Sequence, residues 1–223
     1  MRKLLAAAPT LLWMGAVLLG AESTPRDANR AAAEFRNRGG QVTLNDQKQV
    51  VSVDLHRTTI GDDELKLLDS LPTLQTLDLS YTRVTDAGLK HVGHLKGLKC
   101  LSLEGTKVTD EGLKEIGGLK ELEVLYLDEM TITDQGLAHL SGLKQLESLV
   151  ADHTKIADSG MASLARLTKL RRLVLNHTAV ADDGVKHLAG LTKLQEVDLF
   201  RTKVTAEGVA QLRKALPETR ISQ

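Results

Sequence analysis

"LSLEGTKVTDEGLKEIGGLK", residues 101–120, returns nearly word for word at 77–96 as "LDLSYTRVTDAGLKHVGHLK" and at 173–192 as "LVLNHTAVADDGVKHLAGLT". Leu71, Leu95, Leu119, Leu143, Leu167 and Leu191 stand 24 residues apart, and a weaker copy of the unit begins at Gln47. With Leu95 as position 1, apolar residues occupy positions 4, 7 and 9 (Leu98, Leu101 and Leu103), followed by Val108, Leu113 and Ile116. The alternation at 7 and 9 predicts a short strand, and the spacing after the Asp predicts a helix. A strand-turn-helix unit of this size cannot bury its own apolar face, so its repetition predicts a stack. The stack is an α/β solenoid of seven units over 47–214, with a parallel sheet on one side and helices on the other.

Three polar columns accompany the leucines. Asp62, Asp86, Asp110, Asp134, Asp158 and Asp182 open each helical run, and calcium ligation is one reading of such a series. The other reading, which their place at a helix start favours, is capping of their own helix amides. Gly88, Gly112, Gly136, Gly160, Gly184 and Gly208 follow two positions later. Glycine inside a helix costs about 1 kcal/mol relative to Ala, so its recurrence implies close approach of each helix to a neighbouring backbone. Thr58, Thr82, Thr106, Thr154, Thr178 and Thr202 form the third column, interrupted by Met130.

The skeleton L-x-x-L-x-L-x-x-T over 47–214 resembles the leucine-rich-repeat family, with Thr in place of the family's Asn or Cys. The tails "VTDAGL", "VTDEGL" and "ITDQGL" resemble the subclass found in bacterial extracytoplasmic repeat proteins and in the repeat part of F-box proteins. The resemblance implies a short horseshoe whose concave sheet binds a protein or peptide. It also raises an intracellular ubiquitin-ligase adaptor as a rival, which residues 24–46, too short for an F-box, disfavour.

The ends of the stack need covers, because a terminal repeat exposes core. Residues 24–46 read as an N-terminal cap of one helix and one strand, and 215–223 as a C-terminal cap strand containing Ile221. Before them, Arg2 and Lys3, an uncharged "LLAAAPTLLWMGAVLLG" and the small residues Ala21 and Ser23 have the parts of a secretory signal peptide over 1–23. The expected location is export to periplasm, cell surface or medium. The alternative is an uncleaved membrane anchor, for which the apolar run is slightly short of the roughly 20 residues a span needs.

Charge and motifs exclude more than they assign. Lys and Arg total 29 and Asp and Glu total 29, so no net field draws the chain to nucleic acid. Cys100 is the one cysteine, which rules out an internal disulfide, and the sequence contains no metalloprotease, nucleophile-elbow or phosphate-loop motif. The chain is therefore read as non-enzymatic, monomeric and free of cofactor, with no catalytic or metal residue and no membrane insertion after leader cleavage.

The candidate site follows from strand alternation: positions 6, 8 and 10 point away from the leucines onto the sheet face. Outside 1–23 the aromatics are Phe35, Tyr81, Tyr126 and Phe200, and three of the four fall on or beside this face. Tyr81, Val124, Tyr126, Val150, Val174 and Phe200, with Asp128 and Asp152 on the rim, are the expected partner-binding residues, since aromatics anchor protein interfaces. Glu104, Asp128, Glu129, Asp152, His153 and His177 make an acidic and histidine-bearing stripe over consecutive strands. That stripe is either a solvated rim or, as the alternative function, a cation-binding surface or an accessory domain of an envelope enzyme.

Overall fold

The computed structural model describes residues 24–223; the stretch 1–23, where a leader and its cleavage are expected, lies outside the described residues. Nine strands form one sheet in chain order: β1 Gln41–Leu44, β2 Val50–Asp54, β3 Thr76–Asp78, β4 Cys100–Ser102, β5 Val124–Tyr126, β6 Ser148–Val150, β7 Arg172–Val174, β8 Glu196–Asp198 and β9 Arg220–Ser222. From β2 to β9 every pairing is parallel with a register of one repeat, as in Leu77 opposite Leu101 opposite Leu125. Parallel neighbours need a crossover, and each is supplied by the helical half of the unit. The solenoid of strand-helix units predicted from the period is the fold.

The helical side carries α2 Asp86–Val92, α3 Asp110–Ile116, α4 Asp134–Leu140, α5 Asp158–Leu164, α6 Asp182–Val185 and the longer α7 Ala206–Ala215. The first repeat substitutes a 3-10 helix, Glu64–Ser70, and α6 continues as another, Lys186–Gly190. The leucines at positions 1, 4, 7 and 9 are sealed between the two sides; Leu119, Leu122, Leu125 and Leu127 all have no exposed surface. A strand-to-strand step of about 4.8 Å is shorter than the roughly 8–10 Å at which helices pack, so the sheet is the inner side of the stack.

The N-terminal end is closed by α1, Pro25–Asn37. Thr24 caps it in a reciprocal box with Asp27, and Pro25 sits in the first turn, where its missing N–H costs nothing. Ala31, Ala32 and Phe35 are buried on its inner face, so the fourth aromatic ring fills the end of the core. β1 then pairs antiparallel with β2. At the other end Thr219 donates its hydroxyl to the Leu194 carbonyl (2.7 Å), and Ile221 covers the last layer.

The aspartate column does something other than the expected capping. Thr85, Thr109, Thr133 and Thr205 are the N-caps, their hydroxyl oxygens accepting helix N–H groups, while Ala157 and Ala181 cap without a side chain. Each Asp reaches forward one repeat instead. Asp110 Oδ1 accepts the Thr133 N–H at 2.9 Å and its Oδ2 accepts the Thr133 hydroxyl at 2.5 Å. The same Oδ1 contact to the backbone 23 residues on is made by Asp62, Asp86, Asp134, Asp158 and Asp182. A donor one repeat away is out of reach of any local pattern, which is why helix-start statistics pointed to the wrong donor.

The glycines are the other half of this clasp. A Cβ on Gly136 would stand 2.3 Å from Asp110 Oδ1, and one on Gly208 2.1 Å from Asp182 Oδ1. The close approach inferred from their recurrence is thus chiefly to the preceding repeat's carboxylate. The threonine column is local by contrast: Thr58, Thr82, Thr106, Thr154, Thr178 and Thr202 each donate to the carbonyl three residues back. Met130, lacking a donor, fills its slot as a buried apolar side chain.

The clasp can be measured by a double-mutant cycle at Asp110 and Gly136. Asp110→Ala should cost about 1.5–3 kcal/mol, since it strands a backbone N–H and a hydroxyl, and Gly136→Ala about 1–3 kcal/mol by overpacking, despite alanine's better helix propensity. The double variant should fall short of the sum by about 1 kcal/mol or more, because removing the carboxylate makes room for the methyl. Additive denaturant midpoints would mean that the two columns act separately.

Candidate functional site

One-repeat register lines up position 8 across the sheet as Asp54, Asp78, Ser102, Tyr126, Val150, Val174 and Asp198. Val124 and Tyr126 are partly exposed. Val150 and Val174, expected as an open apolar strip beside Tyr126, are 8% and 3% exposed. A short branched side chain on strands about 4.8 Å apart is closed over by longer neighbours on the same face. They form the floor of the face and leave Tyr126 as its accessible ring.

Position 10 holds a second chain of contacts running from repeat to repeat. Asp128 Oδ1 accepts the Asp152 N–H at 2.9 Å, Asp152 Oδ1 accepts the Asn176 N–H at 2.8 Å, and Asn176 Oδ1 accepts the Phe200 N–H at 2.7 Å. Asn176 also donates its amide to Asp152 Oδ2. The two aspartates assigned to the rim are therefore tied into the scaffold, Asp128 by one oxygen and Asp152 by both. Burial, opposed by the bond from the Asp152 N–H and reinforced by the charges of Asp152 and Glu104, pushes the Asp128 carboxyl up to about 6.

The residue after position 10 adopts left-handed backbone in every repeat: Arg57, Tyr81, Gly105, Glu129, His153, His177 and Arg201 all have φ between 52° and 62°. For the non-glycine members this costs roughly 1 kcal/mol or more each. An inter-repeat bond offsets the cost, as where the Tyr81 N–H donates to the Glu104 carbonyl at 2.7 Å. The turn throws these side chains into a row along the sheet edge. Tyr81 donates its hydroxyl to Glu104 Oε1 at 2.5 Å, and its ring lies where a Cβ on Gly105 would come within 2.6 Å. That bond, with burial and the charges of Glu104 and Glu129, raises the phenol to about 12.

Further along the row, His153 stacks on His177 at 3.9 Å between ring centroids, and Phe200 meets His177 edge-on at 5.9 Å. Burial, then the neighbouring His153 and Arg201, lowers the His177 pKa, which favours the neutral form of that imidazole. Phe200 is 51% exposed. The three rings singled out from composition thus have different surroundings: Tyr81 anchored at an edge, Tyr126 central, Phe200 open at the C-terminal end.

On the N-terminal half of the sheet face lies a cavity of about 380 Å³, lined by His56, Asp78, Cys100, Ser102, Glu104 and, alone of the three rings, Tyr126. Sequence reading had placed these side chains on one face without joining them around a single depression; only their common register with Tyr126 hinted at it. The Cys100 thiol is half-buried, and burial and the Asp78 charge push its pKa up, the opposite of what activates a nucleophile. Among the described residues no three His, Cys, Asp or Glu side chains are grouped to hold a metal ion. Among the same residues no helix is long and apolar enough to cross a membrane.

A stack of strand-helix units with a ring-bearing sheet face is the architecture of a repeat-built binding domain. The chain belongs to the leucine-rich-repeat family: the family model described as "Leucine-rich repeat region" matches residues 49–219. Among solved structures it is similar to internalin C2 of Listeria monocytogenes, with a TM-score of 0.59 and 23% identity over 89% of this chain and 93% of that one. A leucine-rich-repeat protein of Leptospira interrogans gives a TM-score of 0.56 and 25% identity, covering 71% of this chain and 45% of that one. The ectodomain of the Arabidopsis thaliana receptor kinase GASSHO1/SCHENGEN3, solved in complex with CASPARIAN STRIP INTEGRITY FACTOR 2, gives 0.56 and 14%, covering 81% and 25%. This chain therefore spans under half of the Leptospira protein and a quarter of the plant ectodomain. A search of curated proteins returned no match.

The raised Asp128 carboxyl gives a pH test of the ladder. Its folded pKa lies above the ordinary value of about 3.9, so the stability it contributes is full below about pH 4 and is lost as pH rises through about 6. Asp128→Asn keeps the oxygen that accepts the Asp152 N–H, as Asn176 does for Phe200, and removes the charge. The variant should melt higher than wild type at neutral and alkaline pH and match it below about pH 4. A constant difference across the range would show that the charge is not what burial penalises.

Proposed function

We propose that this chain is an exported, non-enzymatic module that binds a protein or peptide on its sheet face, with Tyr126 as the central anchor. The leucine-rich-repeat domain is a protein-binding fold and is typically non-catalytic, and the solved plant relative was captured with a partner. The observation that carries the reading is the distribution of rings: Phe35 is in the core, and the other three line or border one face, where Tyr126 also lines a cavity. Tyr126 stands mid-sheet over a floor of buried Val150 and Val174, so a partner seated there excludes water around the ring.

Tyr126→Ala should leave the thermal midpoint nearly unchanged, because the ring points away from the leucine core. It should weaken capture of the partner from an envelope or secreted fraction by about 2 kcal/mol or more. Intact capture by that variant, with loss on changing Lys114 of the helical side, would move the site to the outer surface.

Export rests on the leader's composition, and 1–23 followed by Thr24 as the helix cap makes Thr24 a natural start for the mature chain. N-terminal sequencing of protein from the producing cell should read from at or near Thr24 in a soluble fraction. Met1 retained in a membrane fraction would make the apolar run an anchor.

A further inference from the structure

We infer that the partner presents a basic segment, and that one of its arginine side chains seats in the cavity between Asp78, Glu104 and Tyr126. This inference rests on the sheet-face reading above and adds the chemistry of the partner. Its first support is a segregation of charge that the neutral composition hides. Positions 8 and 10 hold Asp54, Asp78, Glu104, Asp128, Asp152 and Asp198 and no Lys or Arg at all, although acidic and basic residues are equal in number over the chain.

The second support is that nothing within the described residues neutralises them. None of the ion pairs there includes any of those six acids: they lie on the helical side, at the N-terminal cap or before the strands, as in Lys99 with Glu123, and Arg172, at position 6 of the face, is itself paired with Glu196. The two arginines beside the face are turned onto rings instead, Arg57 over Tyr81 and Arg201 over Phe200. Unpaired acids on an inner surface repel one another, so a cationic partner gains at the same points where the free protein is penalised.

The third support is the geometry of the cavity. Asp78 Oδ1 accepts the Ser80 N–H and hydroxyl at 2.8 and 2.5 Å, which fixes the carboxylate and leaves Oδ2 without a donor among the described residues. Glu104 Oε1 is held by the Tyr81 hydroxyl, and Oε2 is likewise without a donor. Two oriented acceptors beside a phenol ring match a guanidinium, whose planar fork donates in two directions while its face stacks on an aromatic ring. Seven strands about 4.8 Å apart give a face roughly 30 Å long, the length of an extended segment of about nine residues.

The test uses the full chain and two fluorescein-labelled peptides of about nine residues, alternating Gly-Ser with arginine in one and with citrulline, its neutral isostere, in the other. The arginine peptide should bind, with an affinity that falls as salt rises from about 0.05 to about 0.5 M, and the citrulline peptide at least about tenfold more weakly. Asp78→Asn and Glu104→Gln should each weaken the arginine peptide about three- to tenfold, whereas Glu115→Gln on α3 should not. Glu104→Gln keeps an acceptor for Tyr81, so its loss of binding reports charge and not a disturbed anchor; thermal midpoints check both variants. Equal binding of the two peptides, with both lost in Tyr126→Ala, overturns the basic partner while the sheet-face reading stands. Arginine binding that Glu115→Gln weakens as much as Glu104→Gln does overturns both, because attraction is then general. Absence of arginine-peptide binding at low salt also overturns the proposal.

Discussion

The aspartate column from Asp62 to Asp182 holds each of its repeats to the next one, and the 24-residue period is intelligible from that constraint. Asp110 spends one oxygen on the Thr133 backbone and the other on the Thr133 hydroxyl, at a point where the Gly136 backbone passes too close for any side chain. The donor of the bond lies at a helix cap, so one contact fixes both the spacing of consecutive units and the start of the following helix. A solenoid has only nearest-neighbour contacts, and a defect in this clasp cannot be made good by long-range packing.

The sheet side solves the same problem with other chemistry. Leucines at 7 and 9 set the depth of the core, strand pairing sets the step, and the left-handed residue after position 10 turns the chain while donating to the next repeat. Asp128, Asp152 and Asn176 add a second line of side-chain acceptors there. The raised carboxyl of Asp128 shows the tension in using charged side chains for this job: Asp152 and Glu104 lie near enough to disfavour its ionised form.

What the two frameworks leave over is the surface available for recognition. Tyr126 on its valine floor, the carboxylates of Asp78 and Glu104 with an oxygen each to spare, and the exposed ring of Phe200 at the edge are groups the scaffold does not consume. Asp128 and Asp152, which looked equally free in the sequence, are largely committed to holding repeats together. The distinction separates residues whose replacement should change stability from those whose replacement should change affinity.

The period, the leucine ladder and the placement of three rings on one side were legible in the sequence, because a repeat of fixed length translates every side chain by the same step and alternation assigns its face. The helix and the strand of the N-terminal cap were legible too, although the Thr24 cap that starts the helix was not. Tertiary structure alone decided where the polar groups go: that Asp110 reaches Thr133 and does not cap its own helix, that Val150 and Val174 sink beneath their neighbours, and that Asp78, Glu104 and Tyr126 share a cavity. Periodicity states which residues share a face, whereas a hydrogen bond or a burial depends on reach across about 5 Å between adjacent units, a distance that exists only once the repeats are stacked.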